Sequence, residues 1–380
     1  MAGGAEALCR RTAHALADAG DDVVVYTTTA RDYLTWEPHY PAGVSRDGPV
    51  EVRRYPVDPP DPARAAALVR ALSLAPGDPA AEEAWIRAQG PVSPGLLADV
   101  RAAPSRHEVL AFWTYLYATA QLGLPLVADR SVLVPLAHDE PMLRFTVSRG
   151  LVRAAAGLAF LTPEEAVLVD DLHGIGDRPW AVVGTGVDPA PPAPPPPDAG
   201  SYVLFLGRVD PAKGVLELVD AHARYRRRGG RLGLVLAGRP TVPLRLPGWV
   251  RTTGFVDDAR RASLLAGAAA VALPSRYESL SLTALEAWQA GRPTIATSAC
   301  DVVAGQTRRS GGGTVYDDPD GYGAALAALE RDPDGAARAA RGARAWVAAQ
   351  TWPAAVRRWR VLLRAVARPV APATRAREAA

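Results

Sequence analysis

Residues 270–290 read Ala270-Val271-Ala272-Leu273-Pro274-Ser275-Arg276-Tyr277-Glu278-Ser279-Leu280-Ser281-Leu282-Thr283-Ala284-Leu285-Glu286-Ala287-Trp288-Gln289-Ala290. Ala270–Leu273 is a short, uncharged apolar run, the pattern of a strand buried on both faces. From Pro274 to Ser281 the residues are mostly small or polar and suit a loop, and Leu282 to Ala290 carries the spacing of a helix. Such a strand-to-helix step leaves free backbone N–H groups and the positive end of a helix dipole above the loop, a geometry that favours an anion such as a diphosphate. Glu278 precedes the helix and Glu286 lies on it, in an E-x7-E relation. Two ionised carboxylates there can accept pairs of hydroxyl donors, one set from a sugar and one from a ribose. The plainer alternative is that Glu278 caps the helix and Glu286 is a solvated helix residue.

The second informative loop is Gly207-Arg208-Val209-Asp210-Pro211-Ala212-Lys213-Gly214, directly after the apolar run Tyr202–Leu206 and before a helix that starts at Val215. Lys213 is the only lysine in a chain whose other basic residues are arginine. A compact ammonium kept beside a glycine, with Arg208 in the same loop, suits the developing charge of a diphosphate leaving group. A surface turn with solvated charges is the alternative. It weakens if both loops lie at the carboxyl edge of one sheet, where ligands of open α/β sheets bind.

Strand and helix signals alternate over the rest of the chain. Glu6–Ala19 has helical spacing and stops at Gly20, ahead of the β-branched run Val23–Thr27. Further strands are expected at 109–113, 131–135, 157–161 and 180–183, then at 202–206, 232–236, within 250–255, and at 270–273 and 293–297. Helices are expected at 258–267, 282–290, 336–349 and 353–367, with Trp346, Trp352 and Trp359 available for packing. Short apolar strands alternating with helices imply an α/β fold with parallel, doubly covered sheets. Pro189 to Asp198 is almost all proline and alanine and reads as a linker. The expected organisation is therefore an N-terminal domain over 1–188, the linker over 189–198, a second domain over 199–350, which by the resemblance given below would be the nucleotide-sugar-binding one, a helix over 351–368 packing back on the N-terminal domain, and a disordered tail over 369–380.

A chain of 380 residues exceeds the roughly 250 to 300 at which one hydrophobic core stops growing, so two domains are expected. The net charge of +3 is too small for a nucleic-acid partner, and no apolar run approaches the roughly 20 residues of a membrane span. Cys9 and Cys300 make no disulfide framework and no secretory signal opens the sequence, so a cytoplasmic location is expected. Asp257-Asp258 and Asp317-Asp318 sit in turn or cap contexts and are weak metal evidence, so neither a metal nor another cofactor is expected.

Taken together, G-R-x-D-x-x-K-G followed by P-S-x-x-E-S-L-S-L-x-x-L-E-A-x-x-A-G-x-P resembles the GT-B-fold retaining glycosyltransferases of glycosyltransferase family four, the glycosyl transferases group 1. The resemblance implies two Rossmann-like domains facing a central cleft. It also implies transfer of a hexose-type sugar from a nucleotide diphosphate sugar to a hydroxyl acceptor, whether glycan, glycolipid or small molecule. By the same resemblance Arg208 and Lys213 bind the diphosphate, Glu278 contacts the sugar, Glu286 holds the ribose, and the backbone of Ser279, Leu280, Ser281 and Leu282 lies against sugar and phosphate. Many relatives carry glycine at Ser279 or Ser281. Gly3-Gly4-Ala5-Glu6 is similar to the family's glycine-rich loop, which makes Gly4 a donor-side residue. His138, in Ala137-His138-Asp139-Glu140-Pro141, is similar to a histidine beside the transferred sugar. Thr162-Pro163-Glu164-Glu165 and Gly186-Val187-Asp188 resemble further family steps. The catalytic set implied is His138, Glu278, Arg208 and Lys213, with retention of configuration and no metal.

One departure is that the family's first β-strand, which precedes the glycine loop, is missing, since only Met1 and Ala2 precede Gly3. Its loss would cost several kcal/mol against a typical total of about 5 to 15, so the natural chain is expected to begin upstream. The rival of a different class is a catalytically inactive sugar-nucleotide-binding protein of the same fold. Among enzymes, an epimerase of this fold is the near alternative. A phosphorylase would use a pyridoxal-binding lysine, whereas Lys213 sits in the diphosphate loop, and no G-x-G-x-x-G turn supports a dehydrogenase. Arg144, Arg149 and Arg153 on one helix face would permit peripheral membrane contact, with a solvated face as the other reading.

Overall fold

The computed structural model describes residues 3–32, 35–189, 193–196, 201–243 and 245–370. The chain divides into two compact units, one running to Thr185 and resuming at Trp352, the other spanning Gly186–Thr351. Much of the expected linker (190–192 and 197–198) and most of the expected tail (371–380) lie outside the described residues, as do Met1 and Ala2.

The first unit opens with α1 (Gly4–Asp18), β1 (Val24–Thr28), β2 (Gly43–Asp47) and β3 (Val50–Tyr55). Next come α2 (Pro62–Leu74), α3 (Pro79–Gln89), α4 (Pro94–Ala102), β4 (Leu110–Trp113), α5 (Ala118–Gly123) and β5 (Ser131–Val134). The stretch closes with α6 (Thr146–Ala154), β6 (Gly157–Phe160), α7 (Pro163–His173) and β7 (Trp180–Val182). The strands form two sheets, β1-β3-β2 and β4-β5-β6-β7. All pairs are parallel except β2 with β3, which are antiparallel. Only Gly48 and Pro49 join those two strands, and a connection that short can link only antiparallel neighbours. Every residue of β5 and β6 is buried, whereas β1 is half-buried along most of its length and Ala111 of β4 is exposed. The core beneath the second sheet gathers Leu110, Phe112, Leu133, Leu158 and Phe160 with Leu96 and Val100 of α4 and Leu151 of α6.

In the second unit the elements are β8 (Tyr202–Leu206), α8 (Val215–Arg227), β9 (Gly233–Ala237), β10 (Val250–Gly254), α9 (Asp258–Gly267), β11 (Ala270–Leu273) and α10 (Leu282–Gln289). They are followed by β12 (Thr294–Thr297), α11 (Asp301–Ser310), β13 (Gly313–Tyr316), α12 (Pro319–Arg331) and α13 (Pro333–Ala348). One parallel sheet takes all six strands in the order β10-β9-β8-β11-β12-β13. Both faces are covered, which is why the inner strands β8, β9 and β11 read as continuous apolar runs. Tyr202, Leu204, Val271 and Leu273 point to a core shared with Leu264, Leu285, Trp288 and Val347. Val203, Phe205, Ala270 and Ala272 point to the opposite core with Val215, Leu218, Tyr322 and Leu326. From β8 the chain first builds outward through β9 and β10, then returns to β8's other side with β11, so the direction of winding reverses between β8 and β11. Such a switch point opens a crevice at the carboxyl ends of the two strands.

The last helix, α14 (Trp352–Val366), belongs to the first unit, where it packs on α1 and on β5, β6 and β7. Trp359 stacks on Trp113 with ring centroids 6.1 Å apart, and Arg360 bonds Asp21 at 2.9 Å. Gly157 of β6 lets the helix approach, because a Cβ there would lie 2.6 Å from the Val366 side chain. Among the described residues no helix is long and apolar enough to cross a membrane. Arg149 and Arg153 are exposed on α6 and Arg144 is exposed in the short turn before it, where it pairs with Asp139.

Candidate functional site

The two sequence loops flank the switch point of the second unit, Gly207–Gly214 following β8 and Pro274–Ser281 following β11. Pro211–Lys213 forms a single 3-10 turn, capped by the Asp210 carboxylate, which accepts from the Ala212 amide at 2.8 Å. Thr241 donates to the same carboxylate. That hydroxyl, working against burial and joined by the Ala212 amide and the charges of Arg208 and Lys213, holds Asp210 below the usual carboxylate range. Gly214 then takes φ +72°, a left-handed conformation, and α8 begins. A Cβ at Gly214 would lie 2.3 Å from the Pro274 carbonyl oxygen, so the absence of a side chain lets the two loops touch.

Their contact is chemical as well as steric. Lys213 Nζ lies 2.8 Å from Glu278 Oε1 and donates a longer bond, 3.4 Å, to the Tyr277 carbonyl. Both side chains are partly exposed. Arg208 stands exposed at the head of the same loop. The helix is capped not by Glu278 but by Ser281, whose hydroxyl accepts from the Ala284 amide at 3.2 Å. Ser281 is further fixed from α11, where the buried Gln306 accepts its amide at 2.8 Å. Leu282 opens α10 directly after it, and Ser279 is buried. The Thr283 hydroxyl reaches back to the Leu206 carbonyl at the end of β8, tying the helix start to the neighbouring strand. Glu286 sits one turn along α10, 3.5 Å from Arg261 Nη1 of α9. Asp257, the N-cap of α9, and Arg260 line a cavity of about 440 Å³ together with Arg251, Thr252, Phe255 and Val256. The aspartate pairs noted in the sequence supply caps, Asp257 to α9 and Asp318 to α12. Among the described residues no three His, Cys, Asp or Glu side chains group to hold a metal ion.

Gly4 and His138 belong to the first unit. Gly4 opens α1, and Glu6 curls back so closely that a Cβ on Gly3 would lie 2.5 Å from its carboxylate. His138 follows β5 on a segment held from three directions. Its Nδ1 lies 3.5 Å from Glu140 Oε1, and the same oxygen accepts from the Tyr115 hydroxyl at 2.7 Å. Burial alone would raise the Glu140 pKa, but the bond and charge of His138 and the Tyr115 hydroxyl bring it below its ordinary value. Beneath the segment, Glu165 is completely buried and accepts from the Ala137 amide at 2.8 Å through Oε1 and from the Leu161 amide at 2.7 Å through Oε2. Burial pushes this carboxyl up to about 8, against the pull of the surrounding backbone amides. Thr162 caps α7, with Pro163 in its first turn.

Sequence reading pointed to neither Arg261 nor Gln306, and gave no role to Tyr115, Glu140 or Glu165. Arg261 and Gln306 reach the motif loops, and Tyr115 and Glu165 reach the His138 segment, from elements remote in the chain, whereas Glu140 lies two residues from His138.

Residues 200–332 match the family described as glycosyl transferases group 1. The D-inositol 3-phosphate glycosyltransferase of Kineococcus radiotolerans is 32% identical over 306 residues, covering 66% of this chain and 69% of that protein. Among solved structures, sucrose-phosphate synthase from Thermosynechococcus elongatus superposes with a TM-score of 0.72 at 19% identity, over 95% of this chain and 93% of that one. The Anabaena protein HepE in complex with UDP and glucose gives a TM-score of 0.64 at 17% identity, over 95% of this chain and 96% of that one.

Proposed function

This chain belongs to the group 1 glycosyl transferases as a glycosyltransferase of the GT-B fold, and we propose that it moves a hexose-type sugar, with retention of configuration, from a nucleotide diphosphate sugar to a hydroxyl acceptor. The observation that carries this reading is the meeting of Lys213 and Glu278 at the switch point of the second unit. A cation and a carboxylate side by side there supply what a sugar diphosphate needs: charge compensation for the phosphates and a hydrogen-bond acceptor for the sugar hydroxyls.

On this reading Arg208, Lys213 and the start of α10 hold the diphosphate, with the backbone of Ser279, Leu280, Ser281 and Leu282 around it. Because Gln306 already occupies the Ser281 amide, the phosphate contacts fall on the amides that follow it at the helix start. Glu286, steadied by Arg261, accepts the ribose hydroxyls. In the transfer, the bond from the anomeric carbon to the phosphate oxygen breaks as the acceptor oxygen bonds the same face of that carbon. The hydroxyl proton passes to the departing diphosphate. The charge that grows on the leaving group is compensated by Arg208 and Lys213 in the role a metal ion would otherwise fill. By the same resemblance Gly4 acts on the donor and His138 on the transferred sugar, and no enzyme nucleophile is needed.

The test is thermal shift and donor hydrolysis against UDP-, GDP- and ADP-sugars. Stabilisation and hydrolysis with one donor support the reading and name the nucleotide. Stabilisation without turnover, even with hydroxyl acceptors present, would replace the transferase with a sugar-nucleotide-binding protein, and no response to any donor would sink the donor site itself.

A further inference from the structure

The segment that carries His138 is under unusual constraint. Leu136, two residues before it, has φ +52°, and Thr114, at the same edge after β4, has φ +60°. Side chains with a Cβ resist this left-handed region, and such residues persist only where the surroundings hold them. At Leu136 the holder is Glu165. Its two oxygens accept from Ala137, just after β5, and from Leu161, just after β6, so one carboxylate joins the carboxyl ends of two adjacent strands. The Glu165 amide is in turn held by the Thr162 hydroxyl at 3.3 Å, which locks the carboxylate to the first turn of α7. A carboxyl group wholly removed from water is costly unless hydrogen-bonded, and the backbone of Leu136 and Thr162 adds hydrogen bonds to those from Ala137 and Leu161. A glutamate kept there at that cost needs a reason that an apolar side chain of similar volume could not meet.

We propose that Glu165 is a positioning residue for transfer, a buried clamp that fixes the backbone before His138 so that the imidazole is presented in one orientation. This inference rests on the role proposed above for His138. Glu140, anchored by Tyr115, completes the arrangement from the side-chain end: Glu165 fixes the main chain, and Glu140 fixes the ring. The two carboxylates have different environments suited to these tasks, one entirely buried among backbone amides and one facing the imidazole.

The experiment compares Glu165→Gln with the unmodified chain in donor turnover and in the imidazole NMR signals, with the His138 signal assigned by its loss in His138→Ala. Glutamine keeps the volume but can accept from only one of the two amides while directing N–H groups at the other. The expected result is a fall in kcat of roughly 10- to 100-fold, the range for a small misplacement of a catalytic group. The donor KM should stay within about twofold, and the His138 signal should move while that of His222 does not. An unchanged kcat with an unmoved His138 signal would overturn the proposal. So would a joint change of kcat, KM and the His222 signal, which marks general loosening. If the glutamine variant does not fold, Glu165→Asp, which keeps the carboxyl group but is too short to span both amides, is read by the same criteria. Failure of the donor reading shows separately, as an unmodified chain that no sugar nucleotide stabilises.

Discussion

Lys213 and Glu278, 65 residues apart in the chain, form an ion pair at 2.8 Å across the switch point between β8 and β11. Each side chain holds the other where a sugar diphosphate would be met, so the pair is pre-assembled by the sheet order rather than by ligand. A partly exposed pair of this kind adds little to stability by itself. Its value lies in placing opposite charges a few ångströms apart before the donor arrives.

Replacing Lys213 by alanine is expected to lower kcat for donor turnover by about 10² to 10³, the cost of deleting one preorganised donor to developing negative charge. The melting temperature should hardly change. Steady-state kinetics of donor hydrolysis with a thermal melt checks both halves, and wild-type turnover would remove the charge role.

Glu286→Ala acts on binding instead. Losing hydrogen bonds from ribose hydroxyls to a charged group is worth about 1.5 to 3 kcal/mol, roughly 10- to 100-fold in Kd for the nucleotide. Arg261→Ala, which frees Glu286 from its 3.5 Å partner without removing it, should weaken binding less. Calorimetric titration with the free nucleoside diphosphate ranks the two.

Gly214→Ala tests the close approach of the loops. The left-handed φ and the 2.3 Å clash with the Pro274 carbonyl both oppose a methyl group. A loss of more than about 1 kcal/mol in the urea-induced unfolding of the second unit is expected. Because the clash pushes the Lys213 loop away from the Glu278 loop, turnover should fall as well.

His222 predicts a pH effect on stability. It is buried between α8 and α12, with Nε2 3.0 Å from the Leu232 carbonyl and Nδ1 2.9 Å from the Tyr322 hydroxyl, an arrangement that suits a neutral ring. Burial chiefly, with the charge of Arg226, lowers its pKa to about 4 from 6.5, although the Leu232 bond works the other way. A depressed folded pKa means the contribution is present above pH 6.5 and is lost as pH falls toward 4. The loss amounts to about 3 kcal/mol across that window. Urea midpoints at pH 7 and 4.5 should differ by more in the native chain than in His222→Gln, which does not titrate.

The second unit was the more legible in sequence. The strands at 202–206, 270–273 and 293–297 and the helix at 258–267 announced themselves because buried parallel strands are short unbroken apolar runs bounded by turn residues. The two motif loops were legible for the same reason, each lying between a clear strand and a clear helix. What the sequence did not show is the long-range part. Nothing at Gln306 marks it as the partner of an amide 25 residues away, and nothing at Arg261 points to Glu286. The hairpin β2–β3 escaped because β2 is exposed along nearly its whole length, leaving no apolar alternation to read. Helices α2 and α3 passed unremarked because their runs of alanine blur the contrast between buried and exposed faces.

In the first unit the strands fall into two sheets, so β1, β2, β4 and β7 all stand at an edge where one continuous layer would have only two such strands. Strand margins are templates on which other chains can add, and they are usually guarded by lysine, proline or inward charge. Val24-Val25-Tyr26-Thr27-Thr28 carries none of these guards. The consequence is colloidal: crowded preparations should self-associate through the first unit, with a new cross-strand infrared band that shifts when the carbonyls of Val24–Thr28 carry carbon-13. A single lysine at Val24, which packs in neither described core, should by breaking that template raise the concentration the protein tolerates without touching donor chemistry.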